Sequence, residues 1–185
     1  MGLGNPGREY ERTRHNVGAE VVSLLAARGG ERLKPAKSER SLVAEVRVDQ
    51  RRLVLAFPQT YMNDSGVAVA RLVRRYGIDQ LARLVLVHDE LDLPPGAVKL
   101  KLGGGIAGHN GLRSVNQHLH DPGYARVRIG IGKPPGRQLG VEHVLRPPGK
   151  AEREQLEVAV EVAADAVEAI LSDGVEAAMN AYNGR

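Results

Sequence analysis

The chain has 185 residues, enough for one domain with a sizeable core of its own. With 42% hydrophobic and 26% charged residues it has the balance of a globular protein, so a disordered chain is excluded; with no Cys, so are disulfide frameworks, thiolate zinc sites and a cysteine nucleophile. The net charge of +4 is uneven, because residues 1–150 carry 24 Lys and Arg against 14 Asp and Glu while residues 151–185 carry 2 against 8. Either an acidic surface helix closes a mildly basic domain, or a polyanionic partner faces the first 150 residues.

Met1 leads straight into Gly2-Leu3-Gly4-Asn5-Pro6-Gly7, a loop by composition. Asn16 to Arg28 reads as a helix with an apolar stripe of Val17, Val21, Leu24 and Leu25, joined less cleanly by Val22 and stopped by Gly29-Gly30. Ser41 to Val48 alternates as a strand, Arg52 to Phe57 is a buried-type strand ended by Pro58, and Asp49-Gln50-Arg51 fits the hairpin between them. Ser65 to Tyr76 is a helix, with Ser65 as its expected cap and Gly77 as its stop. Leu84 to Val87 is a short central strand that empties into a polar loop, His88-Asp89-Glu90-Leu91-Asp92. Val98 to Leu102 is a strand, Gly103 to Gly108 a glycine loop, and Gly111 to Leu119 a helix. Ala125 to Gly132 is a strand with Arg126 and Arg128 on one side. Ala151 to Leu171 is a long helix, with Leu156, Val160, Ala163, Val167 and Ile170 on one side and Glu157, Glu161, Asp165 and Glu168 on the other. Strands interleaved with helices, plus one hairpin, predict an α/β fold: a single domain over residues 1–185 with a twisted mixed sheet flanked by helices.

No run is long and apolar enough to span a membrane, and no basic segment followed by an apolar one opens the chain. Pro6 spoils the myristoylation pattern that Met1-Gly2 begins. The expectation is a soluble, cytoplasmic protein. The low aromatic content, one Phe and five Tyr without Trp, also argues against a sheet that stacks bases.

Both glycine runs, Gly2 to Gly7 and Gly103 to Gly108, fit the dinucleotide fingerprint G-x-G-x-x-G. The first lacks a preceding strand. The second lies between a strand and a helix, but Arg126 and Arg128 stand where an acidic residue would hold a ribose. A nicotinamide-binding oxidoreductase is therefore a secondary reading. His88, Asp89, Glu90 and Asp92 form an acidic cluster that could suggest a hard-metal site, although carboxylates ending a strand are commonly just solvated. The remaining polar residues at loop starts and strand ends are Asn5, Tyr10, His15, Asn16, Asn63, Asp89, His109 and Asn110. A His oriented by a carboxylate can take a proton from water, and Asn amides can support a developing oxyanion. Such a set suits hydrolysis of an activated carbonyl, such as an ester, with neither metal nor cofactor.

Gly2 to Gly18, read as Gly-Leu-Gly-Asn-Pro-Gly-x-x-Tyr-x-x-Thr-Arg-His-Asn-x-Gly, resembles the opening motif of the bacterial peptidyl-tRNA hydrolases. Pro58 to Gly66, His88 to Pro94, Gly105 to Gly111 and Arg126 to Gly132 resemble later motifs of that family, in order and at similar spacing. The resemblance implies cleavage of the ester that joins a stranded peptide to its tRNA, by a monomer without metal or cofactor. It implies His15 as the base, Asp89 as the carboxylate that orients it, and Asn63 and Asn110 as the amides that hold the peptide and position water. Asn5 matches a substrate-binding residue, Met62 a wall of the cleft, and Tyr10 and His109 further site positions. Lys101 and Arg128 fall where the family holds the tRNA terminal phosphate, which gives the basic first 150 residues a target. Some relatives are chloroplast intron-splicing factors, so a non-catalytic RNA-binding protein is an alternative.

Two departures from the pattern carry expectations. The family has a strand running into its first glycine motif, whereas only Met1 precedes it here; uncovered apolar surface beside Met1 is expected, along with a longer natural chain that begins upstream. Ala107 replaces a glycine, so the loop before His109-Asn110 is expected to be less free to adopt positive φ.

Overall fold

Apolar periodicity becomes layering in the computed structural model, which describes residues 1–134, 136 and 140–184. Helix α1, Val17–Arg28, starts at Asn16 and buries Val17, Val21, Val22 and Leu25, while Leu24 is half-buried. Strands β1 (Lys34–Ala36), β2 (Ser41–Val48) and β3 (Arg51–Pro58) form an antiparallel sheet in that order. The β2–β3 hairpin turns on Asp49 and Gln50, at φ 47° and 65°, the double positive φ that a tight hairpin needs. Helix α2, Ser65–Arg75, follows, but Ser65 lies inside it and donates its hydroxyl to the Met62 carbonyl at 2.8 Å rather than capping.

The second sheet contains β4 (Val85–Glu90), β5 (Val98–Leu102) and β6 (Ala125–Gly130) in the order β4-β6-β5, with β6 parallel to β4 and antiparallel to β5. Helix α3, Asn110–Leu119, connects β5 to β6. Strand β4 outruns its apolar stretch, pairing Asp89 with Ile129 and Glu90 with Gly130. The acidic segment expected as a loop therefore begins as strand, because its polar side chains find partners at the sheet end. Helices α4 (Gly140–Val144), α5 (Lys150–Asp173) and α6 (Val175–Asn183) complete the described chain.

The expected mixed sheet is thus two three-stranded sheets, and Met1–Leu3 joins them. Gly2 N donates to Ala56 O on β3, Leu3 N donates to Val87 O on β4, and Val87 N donates to Met1 O, each at 2.9 Å. The Met1 ammonium donates to Val85 O at 2.6 Å, and burial lowers its pKa to about 5. Beside it, between residues 52–55 and 84–87, lies a cavity of about 660 Å³ that reaches Tyr76 and Ile170.

Two cores flank the sheets. The larger packs α1 and α5 on one face through Val21, Leu25, Leu156, Ala163, Val127 and Ile129, among others. The smaller packs α2 and α3 on the other through Leu3, Val69, Leu86, Leu112 and Val115. Gly18 allows α1 to lie on the seam: a Cβ there would stand 2.2 Å from Val87 O and 2.9 Å from Leu3 N. That close approach carries the turn just before α1 to the end of β4. On α5 the outward acidic face meets Arg28 of α1, which pairs with Glu161 at 2.6 Å, Asp165 at 2.8 Å and Glu168 at 3.3 Å. Much of the acidic surplus of residues 151–185 is therefore answered within the fold, although such exposed pairs add little stability each.

Candidate active site

The short turn Arg14–Asn16 ahead of α1 presents His15, and the end of β4 presents Asp89. His15 Nδ1 lies 2.9 Å from Asp89 Oδ1 and 3.0 Å from Oδ2, and both residues are buried. A carboxylate only accepts, so the His15 proton sits on Nδ1 and the Nε2 lone pair is left as the base. Burial pushes the His15 pKa down, the charge and hydrogen bond of Asp89 push it up, and the net shift is upward. Burial also opposes ionisation of Asp89. The facing imidazoles of His15 and His109, by charge and by hydrogen bond, outweigh it and hold the carboxyl well below the ordinary carboxylate range.

Asn16 clamps the first glycine motif to this turn: its Oδ1 accepts from Asn5 N and its Nδ2 donates to Asn5 O, both at 2.8 Å. The Asn5 Oδ1 in turn accepts from Met62 N at 2.7 Å. With its oxygen used by the protein, Asn5 keeps Nδ2 as a donor for a ligand. Met62 is buried, and a Cβ on Gly111 would stand 2.5 Å from its sulfur. The first turn of α3 packs closely on the Met62–Asp64 turn, which sets Asn110 near Asn63. Asn63 and Asn110 are both exposed, and Asn110 Oδ1 accepts from Arg113 Nη1 at 3.1 Å. Tyr10 stands edge-on to Tyr61, with ring centroids 6.3 Å apart. His109 Nε2 lies 3.1 Å from Asp89 Oδ1. Asn5, Tyr10, His15, Met62, Asp89, His109 and Asn110 are thus linked by direct contacts or by one neighbour, and Asn63 follows Met62 in the chain.

Lys101 and Arg128 lie outside that cluster of contacts, on β5 and β6. The β5–β6 register sets Lys101 opposite Arg126 and Lys99 opposite Arg128. Leu100 and Val127 between them belong to the larger core, so the four cations share the opposite face. Arg128 Nη1 is 3.9 Å from Glu90 Oε2, and Arg128 pairs in register with His88, one strand away from the His15–Asp89 pair. Arg126 is buried and turned inward: Nη1 donates to Gly105 O at 2.9 Å and Nη2 to Gly103 O. The second glycine run therefore has its carbonyls tied to an arginine. In the same loop Ala107 takes φ 46°, the left-handed conformation for which glycine was expected.

The acidic cluster disperses. Glu90 faces Arg128, Asp92 pairs with Lys133 at 2.8 Å, and His88 donates from Nδ1 to the Asp89 carbonyl at 2.7 Å. Desolvation, helped by nearby His109, lowers the His88 pKa to about 3, so this ring is neutral. Among the described residues the metal-capable atoms that converge are those of His15, Asp89 and His109, within 4.8 Å of one another. Their spacings of 2.9 to 3.1 Å suit proton-bearing contacts.

Sequence reasoning missed Arg14 and Tyr61. Arg14 pairs with Glu152 at 2.5 and 2.6 Å and donates to the carbonyls of Arg146 at 3.0 Å and His143 at 3.2 Å, which ties the turn bearing His15 to α4 and α5. Tyr61 is a large aromatic with 57% of its surface exposed beside the site. Each lies directly next to a residue that the motifs had singled out, and that adjacency was the available signal.

The sequence profile described as Peptidyl-tRNA hydrolase matches residues 1–185. A protein named peptidyl-tRNA hydrolase from Nocardia farcinica is 52% identical over 180 residues, which cover 97% of this chain and 93% of that protein. One from Frankia alni is 50% identical over 183 residues, 99% of this chain and 92% of that protein. A crystal structure of peptidyl-tRNA hydrolase from Acinetobacter baumannii superposes with a TM-score of 0.92 at 38% identity, covering 98% of this chain and 92% of that one.

Proposed function

The chain belongs to the peptidyl-tRNA hydrolase family, and from that premise we propose how its residues divide the work of hydrolysing peptidyl-tRNA. His15 Nε2 takes a proton from a water as that water adds to the carbonyl of the ester between peptide and tRNA ribose. Asp89 holds the His15 Nδ1–H and stabilises the imidazolium as it forms. The tetrahedral intermediate collapses, the ribose oxygen leaves, and it takes the proton back from Nε2. The products are a peptide with a free carboxylate and a tRNA with a free terminal hydroxyl.

Asn63 and Asn110 supply neutral amides to the peptide and the attacking water, Asn5 Nδ2 supplies another donor, and Met62 with Tyr10 forms the cleft wall. Lys101 and Arg128 hold the tRNA terminal phosphate, a contact that adds affinity without reading sequence. The scheme uses no metal and no cofactor, and the enzyme works as a cytoplasmic monomer. Among the described residues no helix is long and apolar enough to cross a membrane.

The observation that carries this reading is the buried His15–Asp89 pair, at 2.9 and 3.0 Å, with Asn5 clamped through Asn16 to the turn that bears His15. Neither other reading gains support. The similar proteins are named as hydrolases. Replacing His15 by Ala is expected to slow ester cleavage by about 10²–10⁴-fold while peptidyl-tRNA still binds. Near-normal turnover by that variant would overturn the assignment of the base.

A further inference from the structure

His109 resembles a substrate-contacting position, yet both of its ring nitrogens are used by the protein. Nδ1 receives the backbone N–H groups of Gly111 at 3.1 Å and Leu112 at 3.3 Å, so His109 is the side-chain cap of α3. Two donors converge on that nitrogen, so it carries the lone pair and the ring proton is on Nε2. Nε2 points at Asp89 Oδ1, 3.1 Å away, the same oxygen that takes the His15 Nδ1 proton at 2.9 Å. The ring is wedged between those of His15 and His88, with centroid distances of 5.1 and 4.9 Å.

We propose that His109 is a positioning residue for the hydrolysis: its Nε2–H fixes the Asp89 carboxylate that orients His15, while its Nδ1 ties the start of α3, and with it Asn110, to the same carboxylate. The proposal rests on His15 as base. Two histidines then share one acceptor in opposite tautomers, His15 with its proton on Nδ1 and His109 with its proton on Nε2. A proton added to His109 Nδ1 would face two N–H donors, so in this geometry that nitrogen remains an acceptor while His15 Nε2 takes and returns the catalytic proton. The carboxylate cannot swing away from His15 without also breaking its bond to the cap of α3.

The tautomers are testable in the wild-type protein with no reference to turnover. Two-bond ¹H–¹⁵N correlation spectra at neutral pH are expected to show His109 as the Nε2–H form and His15 as the Nδ1–H form. His109 as the Nδ1–H form or as an imidazolium overturns the proposal. The informative variant is His109→Asn, because Asn caps a helix well but its shorter side chain cannot bring a donor to Asp89. Its melting temperature should stay close to wild type, its kcat should fall by about tenfold, and its KM should stay within about twofold. The acid limb of its pH–rate profile should move up, because Asp89, with one donor fewer, holds the His15 proton more tightly. Wild-type kcat with an unmoved limb overturns the proposal. So does a raised KM at constant kcat, which would make His109 a substrate contact. Turnover of peptidyl-tRNA by the wild-type protein tests the function itself, so the two failures are distinguishable.

Discussion

Replacing Asp89 by Asn removes one charge and almost no volume, so it isolates what that charge contributes. In one amide orientation the side-chain oxygen stays at the Oδ1 position and still accepts from both His15 and His109, which now lie 2.9 and 3.1 Å away. The amide NH2 then takes the Oδ2 position, 3.0 Å from His15 Nδ1, and must turn aside from that donor; the rest of the geometry survives, and the field at the imidazolium does not. Two unit charges about 4 Å apart interact by about 4 kcal/mol at an effective dielectric constant of about 20. That corresponds to about three decades in rate if all of it is felt in the transition state. The hydrogen bond retained by Asn returns a part, so kcat is expected to fall by about 10²–10³-fold. The pH profile separates this mechanism from general damage. In the wild type, burial pushes the His15 pKa down and Asp89 pushes it up, with a net upward shift. Without the Asp89 charge, burial acts alone and the acid limb of kcat/KM must move to lower pH. Release of labelled peptide from peptidyl-tRNA, measured from pH 5 to 9 alongside thermal melting, reads both quantities. A kcat within about threefold of wild type, or an acid limb that stays put or moves up, would refute the pairing of His15 with Asp89.

Other consequences follow from the same geometry. Lys101→Ala and Arg128→Ala should each weaken tRNA binding and reduce the slope of log affinity against log salt by about 1; wild-type slopes would mean that neither touches phosphate. Buried His88 has its pKa lowered from 6.5 to about 3, so the unfolded chain takes a proton there that the folded protein refuses, and stability is lost as pH falls from 6.5 towards 3. Between pH 7 and pH 4 this one group should cost about 3 kcal/mol, and denaturant midpoints for His88→Asn should show that much less acid dependence than wild type. An equal acid dependence in the two proteins would show that His88 is not held neutral. A chain lengthened before Met1 by about five β-branched residues should lay a strand into the 660 Å³ slot between β3 and β4 and raise the melting temperature by about 4 °C or more; a Gly-Ser extension of equal length should not, and equal effects would mean that the slot does not select a strand.

The parts of the fold legible in the sequence were those with a strong apolar period. The stripe of α1, the β2–β3 hairpin and the inner face of α5 bury many of the residues whose spacing predicted it, with Leu24, Leu42, Val48 and Ile170 half-buried. What escaped was stabilised from outside its own segment. Helix α6 follows a Gly stop and holds on partly through Asn183, whose side chain accepts from Leu100 N at 2.8 Å and donates to Leu100 O at 2.9 Å, pairing with β5 as another strand would. No local pattern announces a side chain that stands in for a strand. The end of β4 escaped for the same reason: His88, Asp89 and Glu90 read as loop by polarity, yet their partners lie on the turn before α1, on α3 and on β6. In the site, the contact of His15 with Asp89 was legible, and the place of His109 on the same carboxylate was not. The motifs named His15, Asp89 and His109 together, but chemistry alone would allow either histidine to be the base. The difference is made by the backbone: Gly111 and Leu112 turn their N–H groups onto one nitrogen of His109, and among the described residues no such pair of donors is found on His15. A loop conformation thus decides which of two equivalent side chains can accept a proton. The left-handed Ala107 two residues earlier, at φ 46°, is part of that loop and brings His109 into its capping position at the cost of a conformation that alanine disfavours.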